Sequence, residues 1–248
     1  MATNGTNGTN GVHEDNYPST LPLDGHNFQG IGLGIAKVCF ANDAAAVYSL
    51  DISQPGEPFA ELAKKYPGKT FKYIETDVTS EKSVEAALDA IVGQAGRFDG
   101  LVANAGATKH QPALEFSMEQ VEKLFRLKVF GAWICATIAA RKFITTKTKG
   151  SIIFTASMTS YRPNRAAPTA SYGATKAAVH NMTHTLAMEW SYISPGFVKT
   201  ALTCYVETSP DWDTKMKSWA VPYVYLLSDT ATYTTGIDIP IAGIVGAW

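Results

Sequence analysis

The sequence predicts an α/β protein built as a single domain around a doubly wound parallel sheet. Apolar runs rich in β-branched residues, such as Leu101–Ala103 and Gly150–Ser157, are typical of strands buried on both faces. Segments with helical periodicity separate these runs, and such alternation of strand and helix is typical of βαβ units. A chain of 248 residues, 46% of them hydrophobic, is long enough to bury one large core.

The amino terminus differs in composition from the rest of the chain. Residues 1–20 are predicted to form a disordered tail, because Met1–Gly11 is a polar repeat without the apolar core of a signal peptide. The domain is therefore placed at residues 21–248. No apolar run approaches the ~18 residues of a membrane span, and a net charge of −1 argues against nucleic-acid binding. The three cysteines are dispersed and no histidine cluster is evident, so we expect no disulfide and no metal site, and a cytoplasmic location.

A glycine-rich stretch, Gly30–Gly34, opens the first predicted helix, which runs to about Asn42. The free N–H groups and the dipole of a helix N-terminus favour a pyrophosphate, so Gly30, Ile31 and Gly32 are candidate cofactor contacts. No apolar run precedes them, and the first strand of a doubly wound sheet carries the cofactor site. The predicted sheet is therefore incomplete. Either another segment fills the slot, or the sequence is an incomplete version of a longer chain.

The second strand, Ala44–Leu50, ends at Asp51. A carboxylate there suits the adenosine ribose hydroxyls and repels a 2′-phosphate, which favours NAD over NADP. The alternative is that Asp51 caps the following turn. The other predicted helices lie at Pro58–Lys65, from Ser80, over Met118–Phe143, from Ala170 to Trp190 and at Val221–Asp229. The helix from Ser80 has Val84, Ala87, Leu88 and Ile91 on its apolar face. The other predicted strands lie at Phe71–Thr76, Asp99–Ala103, Gly150–Ser157 and Tyr233–Ile241.

Tyr172 and Lys176 are four residues apart on a predicted helix, so their side chains lie on one face about a turn from each other. A cation beside the phenol stabilises the phenolate and lowers the pKa of Tyr172, which makes it a usable acid–base group. The alternative is that the two residues merely share a helix surface and have no chemical function. Ser157 ends a buried strand, the position where open α/β sheets present ligand-facing groups.

A small-residue turn, Asn104–Gly106, follows another buried strand. This Asn-Ala-Gly strand end, the strand-borne Ser157 and the Tyr-x-x-x-Lys helix resemble the short-chain dehydrogenase/reductase family in their order and approximate spacing. The resemblance implies a Rossmann-like fold and an NAD(P)-dependent oxidoreductase that interconverts a secondary alcohol and a ketone without a metal. The catalytic residues would be Ser157, Tyr172 and Lys176, in a homodimer or homotetramer. The Leu-x-Ser-Asp and Tyr-Thr-Thr-Gly segments look most like the fungal polyol and sugar-ketone reductases.

The resemblance also implies a set of cofactor contacts. Gly30 and Gly32 match the last two glycines of the family's Thr-Gly-x-x-x-Gly-x-Gly turn, and Asp77 and Val78 match its adenine-side Asp-Val pair. Ser194–Thr200 resembles the family's Pro-Gly turn and the Thr beside the nicotinamide. The implied set is Gly30, Ile31, Gly32, Asp51, Asp77, Val78, Asn104, Ala105, Gly106, Tyr172, Lys176, Pro195, Gly196, Val198 and Thr200.

The chain departs from the family pattern at Lys128, which stands where relatives carry an Asn that holds a water of the proton relay. An ammonium cannot accept a hydrogen bond and would lower the pKa of Lys176, unless Lys128 points to solvent. Candidate substrate contacts are Tyr161, Arg162 and Arg165 on the loop after Ser157, and Tyr205, Trp212 and Trp219 on a short lid over Ala201–Ala220.

A further departure concerns the segment after the Tyr172 helix. Only Ser191–Ile193 separates that helix from Ser194, too few residues for a return loop and an additional strand. These shortened segments leave an alternative function open, namely a catalytically silent relative that acts as a binding or dimerisation module. An isomerase or cyclase derived from the same family is a further alternative, against which the complete Ser-Tyr-Lys set argues.

Overall fold

The computed structural model describes residues 31–107, 111–163, 169–190, 194–200, 221–228, 231 and 234–241, with only the backbone described at 194–200 and 240–241. The predicted tail and the predicted lid lie outside these residues. The helices are α1 (Ile31–Ala41), α2 (Glu57–Lys65), α3 (Glu81–Ala95), α4 (Met118–Phe125), α5 (Gly131–Thr146), α6 (Ala170–Glu189) and α7 (residues 221–227). The strands are β1 (Ala46–Asp51), β2 (Thr70–Glu75), β3 (Gly100–Ala103), β4 (Ser151–Ser157), β5 (Ser194–Thr200) and β6 (Asp238–Ile241).

Local signals set the limits of α3. The helix begins after Ser80, whose side chain accepts a hydrogen bond from the Ser83 backbone N–H, and it ends at Gly96, which adopts the left-handed conformation with φ +71°. Its buried residues are Val84, Ala87, Leu88 and Ile91, the apolar face that the sequence predicts.

The strands form two parallel sheets. β1 pairs with β2, and β3, β4, β5 and β6 follow one another in a four-stranded sheet. Strand β4 shows that both faces are covered, because Ile152 and Phe154 belong to one buried cluster and Ile153 to another. The first cluster draws on α3, α5 and α6, and the second on α1 and α7. The arrangement confirms the predicted doubly wound α/β fold.

Strand β5 corrects one prediction. We expected a separate strand before Ser194–Thr200, but this segment is itself the strand, running parallel to β4 with Ser194 opposite Ser151. The helix α6 runs back from the carboxyl edge of the sheet to its amino edge, where β5 begins. Four residues therefore suffice for the return, which is an ordinary length for a helix-to-strand connection.

A cavity of about 660 Å³ separates β1 from β3. One wall consists of residues 46–51 of β1, the opposite wall of residues 100–103 of β3, and α1 contributes Ile35, Ala36 and Cys39. Within the part of the chain that the structure describes, no strand lies between the two sheets. This gap lies where the sequence predicts a missing first strand.

Aromatic rings pack against the amino end of β4. The rings of Phe98 and Phe143 stack with centroids 4.8 Å apart, and a Cβ added at Gly150 would lie 2.2 Å from the Phe143 ring. Glycine is therefore required at position 150 by the ring beneath it. None of the helices in the described ranges has the length and apolar character to span a bilayer.

Candidate active site

The first turn of α6 meets the carboxyl end of β4. Tyr172 and Lys176 lie on this helix and Ser157 on the strand, and all three are buried, with 5%, 6% and 3% of their surface exposed. The Ser157 hydroxyl is placed to interact with the Tyr172 phenol and lowers its pKa. Nζ of Lys176 donates to the carbonyl oxygen of Thr155, 2.5 Å away on the same strand. The structure thus brings together the three residues that the sequence predicts as catalytic.

The environment of Tyr172 differs from the expectation that Lys176 lowers its pKa. Burial raises the pKa of the Tyr172 phenol to about 12, and the hydrogen bond with Ser157 opposes this rise. Burial also lowers the pKa of Lys176 to about 8. Nζ of Lys176 lies 5.9 Å from the Tyr172 ring centroid and is committed to the backbone of β4. The phenol therefore holds its proton at neutral pH.

Lys128 lies beside the same phenol. It sits in a single π-helical stretch, Arg126–Phe130, between α4 and α5, and such stretches are frequent at functional sites. Only 4% of its surface is exposed, so the alternative in which it points to solvent is wrong. Its Nζ lies 4.8 Å from the Tyr172 ring centroid.

Two buried lysines therefore share one site. Burial, and secondly the charge of Lys176, hold the pKa of Lys128 well below its usual range. The sequence predicts that the charge of Lys128 lowers the pKa of Lys176, whereas in the structure the charge of Lys176 lowers the pKa of Lys128. Both pKa values are therefore lowered, and the two amines titrate as a coupled pair.

Gly106 lies against the end of the Lys128 side chain. A Cβ at Gly106 would lie 2.5 Å from Nζ of Lys128, so a larger residue would shift this amine from its place beside Tyr172. The Asn-Ala-Gly turn after β3 therefore has a packing function toward Lys128 in addition to the predicted contact with a cofactor.

The cavity between β1 and β3 extends to this site at the carboxyl edge of the sheet. Its walls include several of the predicted cofactor residues, together with Lys128 and Thr155, and these predicted residues are Gly32, Asp51, Val78, Asn104, Ala105 and Lys176. The cavity lining includes the N-terminal turn of α1 and the amine of Lys176, whose pKa of about 8 leaves it charged at pH 7, and both favour an anion. The donor set fits an anionic dinucleotide.

Other predicted cofactor residues do not line this cavity. Ile31 packs on the buried cluster around Tyr223, and Gly30 lies outside the described residues. The Asp77 carboxylate accepts hydrogen bonds from the backbone and side chain of Thr79, at 2.9 and 2.8 Å. Gly106 and Tyr172 also lie away from the cavity wall.

The structure shows Asp51 as the turn cap, one of the two interpretations that the sequence allows, and the ribose contact stays a prediction. Its side chain accepts a hydrogen bond of 2.9 Å from the backbone N–H of Ser53, which is the turn cap. The same residue lies at the carboxyl end of β1 and lines the cavity. The cap orients the carboxylate without removing its charge.

The register of β5 places only some of the cofactor contacts predicted on that segment near the active site. Thr200 pairs with Ser157 and Val198 with Thr155, at the active-site edge. Pro195 and Gly196 pair with Ile152 and Ile153 in the first half of the strand. The predicted Pro-Gly turn is therefore wrong, because these residues lie within a strand.

Sequence reasoning missed several polar groups around α6. The Tyr223 hydroxyl on α7 lies 3.0 Å from Oγ1 of Thr155, so the strand that holds Lys176 is itself anchored from the opposite face. Tyr161, predicted as a substrate contact, donates a hydrogen bond to Asp238 on β6. His180 and His184 also lie beside Asp238; their spacing of four residues on a helix was the available signal.

The chain shares sequence and fold with known proteins. A family model described as short chain dehydrogenase matches residues 27–211. The chain is 34% identical over 236 residues to a probable NADP-dependent mannitol dehydrogenase of Yarrowia lipolytica, covering 86% of this chain and 83% of that one. It is 33% identical over 233 residues to a sorbose reductase of Schizosaccharomyces pombe, with 86% and 91% covered. The NADPH-dependent 3-quinuclidinone reductase of Rhodotorula rubra has a similar structure, with a TM-score of 0.75, 28% identity and 86% of both chains covered.

Proposed function

We propose a proton-transfer role for Tyr172, starting from the fact that this chain belongs to the short-chain dehydrogenase/reductase family. The chain is related to fungal polyol reductases and is an NAD(P)-dependent oxidoreductase that interconverts an alcohol and a ketone. The observation that carries the proposal is the convergence of the buried side chains of Ser157, Tyr172 and Lys176 where α6 meets the carboxyl end of β4. The alternative of a silent binding module is not favoured by relatives that are named as dehydrogenases and reductases.

The residues divide the work by their chemistry. The Ser157 hydroxyl hydrogen-bonds the substrate oxygen and stabilises charge that develops there. Oη of Tyr172 donates its proton to that oxygen in reduction and receives it in oxidation. Because burial raises the pKa of Tyr172 to about 12, the phenol is protonated at neutral pH and is suited to the reductive direction.

The two lysines lie on different sides of the phenol. Lys176 is fixed by its hydrogen bond to the Thr155 carbonyl, and Lys128 approaches the face of the Tyr172 ring. A cation at either place lowers the cost of the phenolate after proton transfer. Burial and the charge of Lys176 lower the pKa of Lys128, which favours its neutral amine, so we assign the cationic contribution to Lys176, whose pKa is about 8.

The dinucleotide would be held at the carboxyl edge of the sheet by Gly32, Asp51, Asn104, Ala105 and Lys176. When bound, the nicotinamide supplies or accepts the hydride, so the protein has to orient the substrate against it and exchange a proton with the substrate oxygen. Support for this placement comes from the cavity that these residues line and from the two amines at its end. Val198 and Thr200 lie on β5 at the same edge, which supports their predicted contact with the nicotinamide side.

The choice between NAD and NADP depends on Asp51. Its charge supports the predicted preference for NAD, because a carboxylate repels a 2′-phosphate. The related mannitol dehydrogenases of Yarrowia lipolytica and Hypocrea jecorina are NADP-dependent, which supports the opposite preference. We therefore propose that either nicotinamide cofactor binds, with Asp51 setting the ratio.

The proposed substrate class is based on the names of the relatives. We propose a polyol or its keto sugar as substrate, since the relatives include mannitol dehydrogenases and a sorbose reductase. The proposed unit is a homo-oligomer in the cytoplasm, with residues 21–248 as the domain and 1–20 as a tail.

Two measurements test this function. Fluorescence titration of the full-length chain with NADH and with NADPH should show saturable binding of at least one. Absorbance at the nicotinamide band should then report turnover of fructose or sorbose, with a simple aliphatic ketone as the comparison substrate. Failure of both cofactors to bind would contradict the proposal, and binding without turnover of any ketone would reduce it to a binding module.

A further inference from the structure

Three side chains meet where α6 packs beside the last strand of the sheet. His180 and His184 lie one turn apart on α6, and Asp238 begins β6. One ligand atom from each of these residues can be chosen so that all three lie within 4.8 Å of one another. The cluster is separate from the proposed active site, because His180 lies eight residues, about 12 Å along the helix axis, from Tyr172.

The side-chain atoms of the three residues lie close enough together to reach one metal ion. Nε2 of His180 lies 3.1 Å from Nε2 of His184 and 2.8 Å from Oδ2 of Asp238. Nε2 of His184 lies 3.7 Å from Oδ1 of Asp238. Bonds of ~2.0–2.1 Å to a tetrahedral Zn²⁺ put neighbouring ligand atoms about 3.3 Å apart, and the distance between the two Nε2 atoms is close to this value. The two contacts to Asp238 use different oxygens, so the carboxylate would turn to present one oxygen to both histidines or would bind the ion through both.

The hydrogen bonds of His184 fix its tautomer. Nδ1 of His184 lies 2.9 Å from the backbone carbonyl oxygen of Gly236. A carbonyl oxygen only accepts, so Nδ1 carries the proton and, in the neutral imidazole, Nε2 presents its lone pair toward His180 and Asp238. A ring N–H donated to a backbone carbonyl is the usual way in which a metal-binding histidine is oriented.

The two oxygens of the Asp238 carboxylate differ in their hydrogen bonding. Oδ2 accepts hydrogen bonds from the Tyr161 hydroxyl and contacts His180. Oδ1 is buried and has no hydrogen-bond partner among the residues that the structure describes. A buried carboxylate oxygen without a donor costs free energy unless a cation or a donor reaches it. It lies beside the lone pair of His184.

We propose that His180, His184 and Asp238 form a binding site for a divalent transition-metal ion, with Zn²⁺ as the best match. Two imidazoles and one carboxylate are ligands that suit Zn²⁺, and a fourth position is left for water. The side chains are 23%, 41% and 25% exposed, so an ion can enter from solvent. The metal would tie β6 to the helix that carries Tyr172, and its role is structural.

The test uses full-length protein freed of any histidine tag, treated with a chelator and then dialysed. Isothermal titration with Zn²⁺ should show one site, and Co²⁺ should give the visible absorption of a tetrahedral complex. Saturating Zn²⁺ should raise the melting temperature by about 5 °C or more, since binding to the folded state alone stabilises it.

Variants distinguish this site from adventitious binding to cysteines or other histidines. His184→Gln and Asp238→Asn should each weaken Zn²⁺ binding by at least about tenfold, whereas Glu189→Gln, an exposed change on the same helix, should leave it intact. Circular dichroism checks that each variant is folded. Absence of one-to-one binding to the parent chain, or equal affinity in folded His184→Gln and Asp238→Asn, would overturn the proposal and leave a hydrogen-bonded His-His-Asp-Tyr cluster.

Discussion

Nζ of Lys128 lies 4.8 Å from the centre of the Tyr172 ring, closer than Nζ of Lys176 at 5.9 Å. Lys128 is buried, and no carboxylate of the described residues forms an ion pair with it. Burying this amine lowers the free energy of unfolding, so Lys128 destabilises the fold in the position that it occupies beside the phenol.

Replacing Lys128 by Met should therefore stabilise the fold. The expected gain in the free energy of unfolding is about 1–4 kcal/mol at pH 7, because Met keeps the volume of the side chain and removes the buried amine. Chemical denaturation measures it, with Lys64→Met on the exposed face of α2 as the control, expected to change stability by less than about 0.5 kcal/mol.

The gain from Lys128→Met should depend on pH with a definite sign. The pKa of Lys128 is lowered in the folded state, so between that pKa and ~10.4 the unfolded chain binds a proton that the folded chain lacks. The parent protein becomes more stable relative to Lys128→Met as pH rises through this window. The difference between the two proteins should shrink by up to about 1.4 kcal/mol per pH unit, and a constant difference from pH 7 to 9.5 would contradict a lowered pKa.

The raised pKa of Tyr172 predicts opposite pH profiles for the two directions of the reaction. Oxidation of the alcohol needs the phenolate, so its kcat/KM should rise by about tenfold per pH unit up to at least pH 9. Reduction needs the phenol and should be nearly flat over the same range. Initial rates in both directions from pH 6 to 9.5 measure this, and an oxidation profile that levels off near pH 7 would show that the lysines overcome the burial of Tyr172.

Asp51 permits a test of cofactor choice that leaves its cap in place. Asp51→Asn keeps an oxygen that can accept from the Ser53 N–H and removes the negative charge. The ratio of kcat/KM for NADPH over NADH should increase by about tenfold, which corresponds to ~1.4 kcal/mol of relieved repulsion. An unchanged ratio would leave Asp51 with the turn cap as its only function.

Two glycines provide a matched pair for the packing of the core. Gly150→Ala should destabilise the fold by at least about 1–3 kcal/mol, because the new methyl group would lie 2.2 Å from the Phe143 ring. Gly93→Ala, in α3 with open space around the position, should stabilise it by about 0.5–1 kcal/mol. Equal effects of the two changes on the thermal midpoint would contradict the packing described at the start of β4.

Much of the fold could be predicted because local patterns and tertiary contacts agree. The apolar face of α3 and the apolar run of β4 each identify a buried element, and their order identifies parallel crossovers. The role of Ser194–Thr200 could not be predicted in the same way. A motif suggested a turn, whereas the strand depends on pairing with β4, a contact distant in the sequence.

The candidate site was predictable to the extent that its spacing lies within one helix. Tyr172 and Lys176 are four residues apart, and the helix alone places them on one face. The proximity of Lys128 depends on how the π-helical stretch packs against α6, and the pKa of Tyr172 depends on burial by several elements. Neither property is contained in a local pattern, so the predicted lowering of the Tyr172 pKa by Lys176 was wrong.

The central claim is that Tyr172 transfers the proton, and Tyr172→Phe tests it most directly. This variant keeps the ring that fills the site and removes only the hydroxyl. Turnover of the best ketone substrate should fall by about 10²–10⁴-fold, while binding of the reduced cofactor by fluorescence stays within about threefold of the parent. Tyr225→Phe, whose hydroxyl contacts Thr234 at a partly exposed position, is the control and should retain full activity. A Tyr172→Phe protein with turnover within about tenfold of the parent would contradict the account.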